Sequence, residues 1–174
     1  MHRTIPVLLL GTTLLLSSCG DNDADADGSS VRDGVLEVVM ADFHYGDLPG
    51  EVPAGTRLTI GNESERELHE LVAYRLDDAD DRSVADIIAT DVGALLGGGP
   101  PVAVLLASPG GEQIDAVGDG VLSQPGRYVL LCAVPTGADP DEYLHAVATS
   151  EGPPDVAGGA PHFAHGMYAE LVVT

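Results

Sequence analysis

The sequence contains no lysine: its seven basic residues are all arginine, set against 28 Asp and Glu for a net charge of -21 over 174 residues. Without lysine there is no P-loop ammonium to hold a nucleotide phosphate and no amine for Schiff-base chemistry. A charge of that sign repels phosphate, so nucleic acid is excluded as a partner. The acidity suits solubility in salty surroundings, or a face that docks a basic partner. No G-x-S-x-G offers a serine nucleophile. Long periodic helices are few, whereas Gly 22 and Pro 12 point to a β-rich, loop-rich chain whose 44% apolar content suffices for one core. There is no internal repeat and no sign of a second folded domain.

Cysteine is nearly absent too, with only Cys19 and Cys132. Met1, His2 and Arg3 precede an apolar run from Ile5 to Leu16 that is too short for a permanent bilayer span. The following Leu16-Ser17-Ser18-Cys19 resembles the lipobox of bacterial lipoproteins, in which cleavage precedes the cysteine and its sulfur is acylated. That resemblance implies a signal peptide over residues 1-18, lipid on Cys19, and a mature chain held at the outer face of the cytoplasmic membrane. Residues 19-34 then read as a lipid-anchored acidic tether. Within it Asp23, Asp25, Asp27 and Gly28 open like a calcium loop. The twelfth position is Gly34 where a Glu is needed and no amphipathic helix flanks it, so the match reads as composition. With Cys19 acylated, Cys132 is alone in a compartment that oxidises thiols. It is then an inert buried residue, a nucleophile or a thiolate metal ligand.

From Val35 the pattern becomes short alternating runs. Leu36, Val38 and Met40 share one face of a first strand, with Val35, Val39 and Phe43 on the other. Leu58 and Ile60 mark a second strand and "LHELVAY" a third, placing His69, Leu71 and Ala73 on one face. Ser83 with Asp86 resembles a helix cap, and Val84, Ile87, Ile88, Val92, Leu95 and Leu96 keep helical spacing until Gly97, which predicts one inserted helix. Further strands are predicted over Val102 to Ala107, Glu112 to Val117, Gly126 to Ala133 and Met167 to Val173. About seven short strands punctuated by Gly and Pro predict an all-β domain over residues 35-174: a Greek-key β-sandwich with a short helical insertion.

Three stretches stand out: "ELHELVAY", "GRYVLLCAVP" and "PHFAHGMYAELVV". They offer His69 just inside one strand, Cys132 at the end of another, and His162 with Met167 in the loop before the last. This layout resembles the cupredoxins, the plastocyanin-like and azurin-like blue copper proteins. The strand "GRYVLLC" and the downstream H-x-x-x-x-M are the most specific parts of the resemblance. It implies one copper ion, Cu(I)/Cu(II), on His69, Cys132, His162 and Met167. The donor chemistry agrees: a thiolate and two neutral imidazoles form a soft, near-trigonal set, and a distant thioether favours copper over zinc. Family spacing selects His162 over His165, which stands only two residues before Met167. His44 and His145 read as structural or solvated. In this chain Glu70 follows His69 where many relatives carry an Asn, and 29 residues, 133-161, separate Cys132 from His162, an insert that must fold out and return.

What the resemblance implies is electron transfer by a monomeric, non-enzymatic protein at the cell envelope. It would meet an unidentified redox partner and touch the membrane through its lipid. Copper storage, delivery or sensing would use the same donors. A histidine-activated Cys132 nucleophile and a metal-free binding module complete the set of readings.

Overall fold

The computed structural model describes Met1, residues 30-150 and residues 152-174. The expected signal peptide, Cys19 and the acidic run through Asp23, Asp25, Asp27 and Gly28 lie outside the described residues. Among the described residues no helix is long and apolar enough to cross a membrane.

Strand β1, Val35–Ala41, fully buries Leu36, Val38 and Met40 while the residues between them face outward, as period-two alternation requires. It pairs in parallel with β4, Thr56–Asn62, and antiparallel with the two-residue β2, His44–Tyr45. With β8, Val121–Leu122, these form a sheet of order β2-β1-β4-β8. The second sheet comprises β3 (Glu51–Val52), β5 (His69–Arg75), β6 (Ala103–Ala107), β7 (Ile114–Val117), β9 (Gly126–Leu131) and β10 (Tyr168–Val173). Its order is β3-β10-β9-β5-β6-β7. Three successive antiparallel strands, β5 to β7, are joined by β9 returning beside β5, which is a Greek key.

The two sheets share one core. Leu36, Val38, Met40, Leu58 and Leu122 of the first meet Leu71, Leu105, Leu130 and Leu171 of the second. Each such leucine contributes about 1.5–3 kcal/mol by leaving water. The other face of the larger sheet, with Val72, Tyr74, Val129 and Leu131, is covered by Val84 and Ile87 from the helical segment. Arg127 ties this layer to the sheet, donating to the carbonyls of Asp80 (2.7 Å) and Arg82 (2.8 Å) and to Glu170 (2.9 Å).

The sandwich is the one expected, with differences in its elements. The single helix from Ser83 to Leu96 is two, α1 (Val84–Thr90) and α2 (Val92–Gly97). Asp91 leaves helical geometry at φ -144, and its carboxylate is held 3.0 Å from Arg82. Ser83 does cap α1, accepting from the Asp86 amide at 3.1 Å. The 133-161 insert also contains a helix that the sequence reading missed. This is α3, Pro140–Thr149, capped by Asp139, which accepts from the Glu142 amide at 3.0 Å. Phe43 does not lie on the outer face of β1. It sits beyond the strand in a turn at φ 62.

Candidate metal centre

The site forms at one end of the larger sheet, where three segments converge. His69 is the first residue of β5, paired with Ala107 of β6. The loop before it is fixed by Asn62, whose side-chain amide donates to the carbonyls of Glu67 and Ala107, both at 2.9 Å. Asn62 Oδ1 accepts from the Ser64 amide at 2.9 Å. Ser64 Oγ accepts from the Glu67 amide at 2.9 Å and donates to the Asp42 carboxylate. A polar loop is thus enclosed without losing its hydrogen bonds.

Cys132 follows β9 directly. Its amide donates to the Met167 carbonyl (3.1 Å), and its carbonyl accepts from the Phe163 amide (2.8 Å). His162 opens a 3₁₀ turn, His162–His165, that closes on Gly166 at φ 105, a left-handed conformation that glycine adopts readily. The His162 amide donates to Val134, and the Met167 amide returns to the His162 carbonyl, at 3.0 and 3.1 Å. Backbone bonds therefore join Cys132, His162 and Met167 before any side chain is considered.

Between the side chains, His69 Nδ1 lies 3.1 Å from His162 Nδ1, which lies 3.3 Å from Cys132 Sγ. The three potential ligand atoms all fall within 4.8 Å of one another. His69, Cys132, His162 and Met167 are all fully buried. Met167 belongs to the same apolar cluster as Cys132. His165 is exposed and outside the trio, and His44 and His145 are exposed as well.

Burial lowers the pKa of His69 to about 4, helped by the neighbouring His162, so the ring is neutral near pH 7. Burial also lowers that of His162, against the pull of Glu67. The Cys132 thiol is pushed up, first by burial and then by the charge of Glu70. Two neutral imidazoles with their Nδ1 atoms 3.1 Å apart and a thiol beside them cannot all present lone pairs inward without a proton or metal cation between them. A soft cation suits all three donors and would displace the thiol proton.

The outward nitrogens have a different setting. Both Nε2 atoms are enclosed and make no hydrogen bond. Glu67 Oε2 lies 3.4 Å from that of His162, and Asp42 Oδ1 lies 3.9 Å from that of His69. The Phe43 ring packs edge-on against His162 with centroids 5.0 Å apart, and against His165 at 5.1 Å.

Glu70 faces away from the trio. Its carboxylate accepts from the Ala133 amide (3.0 Å) and the Tyr143 hydroxyl (3.2 Å), and its own amide donates to Cys132 Sγ (3.4 Å). It links β5, the cysteine segment and α3. Asp42, Glu67 and Tyr143 were not singled out from sequence, and Phe43 was placed only on a strand face. Only Tyr143 carried a signal, since it is an aromatic residue early in a helix whose Asp139 and Pro140 mark a start, and the one that the helix buries.

No family model matches this chain, and no curated protein matches it in sequence. Among solved structures it is similar to the dithionite-reduced auracyanin of the photosynthetic bacterium Roseiflexus castenholzii, with 21% identity, covering 84% of this chain and 99% of that one at a TM-score of 0.43. Auracyanin B matches at 18% identity over 84% and 96% of the two chains, with a TM-score of 0.37. Auracyanin A of the green thermophilic bacterium Chloroflexus aurantiacus, described as a "blue" copper protein, matches at 17% over 80% and 98%, with a TM-score of 0.40.

Proposed function

We propose that this protein holds one copper ion on His69 Nδ1, Cys132 Sγ and His162 Nδ1, with Met167 as a weaker fourth donor, and serves in electron transfer. The observation that carries the reading is the buried trio, whose donor atoms lie within 4.8 Å of one another. A copper ion held by this soft, mixed set would supply a one-electron couple.

The chain's own part is to fix and dry the donors. His69 is anchored by the β5–β6 ladder, and Cys132, His162 and Met167 by the bonds between their backbones. Anchored ligands move little, and little movement favours fast electron exchange. The Glu70 amide aimed at Cys132 Sγ would steady negative charge on sulfur. Complete burial of all three donors favours keeping the ion over delivering it, which sets electron transfer above copper delivery. Anchorage through lipid on Cys19, at the outer face of the cytoplasmic membrane, belongs to the same proposal. So does a redox partner with a basic surface, which an acidic protein would steer inward.

Cu(II) added to the full chain is expected to give an intense visible thiolate-to-copper charge-transfer band. His162→Ala should lose it and His165→Ala should keep it. Absence of the band in correctly folded protein would overturn the copper reading. Retention in His162→Ala with loss in His165→Ala would overturn the ligand choice.

A further inference from the structure

We propose that Glu67 is a positioning residue for the metal centre: its carboxylate, facing His162 Nε2, keeps the ring proton on that nitrogen and so leaves a bare Nδ1 toward Cys132 and His69. The inference rests on the reading of His162 as a ligand and adds to it how that ring is set.

Glu67 is held from two sides. Its amide donates to Ser64 Oγ and its carbonyl accepts from Asn62, both at 2.9 Å, within the loop that leads into β5. Its carboxylate Oε2 accepts from the Gly137 amide at 3.0 Å, a bond that crosses to the 133-161 insert. The same Oε2 lies 3.4 Å from His162 Nε2, an enclosed atom with no other polar partner.

A neutral imidazole carries one proton, on one nitrogen or the other. With the proton on Nδ1, the Nε2 lone pair would face a carboxylate oxygen inside a largely dry site, and the two would repel. With the proton on Nε2, the ring sets an N–H beside an anion, 3.4 Å away, and leaves Nδ1 bare, 3.1 Å from His69 Nδ1 and 3.3 Å from Cys132 Sγ. The carboxylate thereby selects the tautomer able to bind a cation, an arrangement that recurs where a carboxylate backs a metal-bound histidine. The carboxylate is aimed through Gly137, so the insert that parts Cys132 from His162 in sequence helps to set the site.

The test uses the full chain freed of metal at about pH 8, where the His162 ring is neutral, and reads its tautomer from long-range ¹H–¹⁵N NMR. The wild type is expected to carry the proton on Nε2. Glu67→Ala should shift the ratio toward Nδ1–H by tenfold or more. Glu67→Gln should stay close to wild type, because its amide oxygen accepts in the same place. If Glu67→Ala does not fold, Glu67→Asp, one methylene too short to reach, should give the same shift. Zinc and Cu(I) affinities measured by chelator competition should fall about 10- to 100-fold in the variants that shift, and little in Glu67→Gln. An unchanged tautomer ratio in a folded Ala or Asp variant would overturn the role of Glu67. That failure is separate from failure of the copper reading, which shows as a missing charge-transfer band in the wild type.

Discussion

Cys132→Ser is expected to abolish the visible copper band and to weaken copper binding by on the order of 10²–10³-fold. Structural zinc sites in small peptides bind with apparent free energies of roughly 10–16 kcal/mol over four ligands, and on that scale one ligand's share is a few kcal/mol. A serine hydroxyl is too weakly acidic to replace the thiolate, and no other cysteine is present in residues 20-174. The fold should survive, because the serine oxygen can still accept the Glu70 amide that now reaches Sγ at 3.4 Å. Burying a hydroxyl where a thiol stood should cost about 1–3 kcal/mol. Absorption spectroscopy, chelator competition and circular dichroism on one sample separate these effects. A folded Cys132→Ser protein with an undiminished band would exclude the thiolate from the site.

The second large effect concerns Glu70 and appears with copper chelated. Burial lifts its carboxyl from 4.5 to about 7, against the opposite pull of the Ala133 amide and the Tyr143 hydroxyl. The folded chain therefore binds this proton more tightly than the unfolded chain does. Its contribution to stability is complete below the unfolded value and is lost as pH rises through about 7. Over that window the loss amounts to roughly 3 kcal/mol. Glu70→Gln is nearly isosteric and neutral throughout, so urea unfolding at about pH 5 and pH 8 should show wild-type stability falling relative to the variant by about that amount. Tyr143→Phe removes the hydroxyl that steadies the charged form and should make the fall steeper. Parallel profiles for wild type and Glu70→Gln would show that the carboxyl is not the titrating group.

Much of the sandwich was legible because the information was local, and the metal trio because three stretches together resemble a known family. Leu36, Val38 and Met40 announce a half-buried strand by alternation alone, and the structure buries all three completely. His69 and Cys132 at strand ends, and His162 in the loop before the last strand, were brought together by the family resemblance, and the fold brings their side chains together. What was missed depends on contacts across the chain. Asp42 and Glu67 are ordinary acids among 28. Only Ser64, Gly137 and the imidazoles around them distinguish the pair. Glu70 was noted as a departure from a family pattern, but its partner Tyr143 is 73 residues away. The division of the 83-96 helix at Asp91 was hidden for a similar reason. Apolar spacing continues through the break, and Arg82 draws the carboxylate aside. Helix α3 is a different kind of miss, since its Asp139-Pro140 start was present but masked by the Gly and Pro on either side.

Phe43 shows where durability and enclosure oppose each other. A phenylalanine at φ 62 carries a backbone cost of about 1–2 kcal/mol that glycine would not incur. Phe43→Gly would relax the turn, yet it would strip the ring from against His162 and His165 and admit water to the imidazole edge. A library selected for heat resistance alone would therefore reward opening the site. One selected for holding its ion would keep the uncomfortable residue.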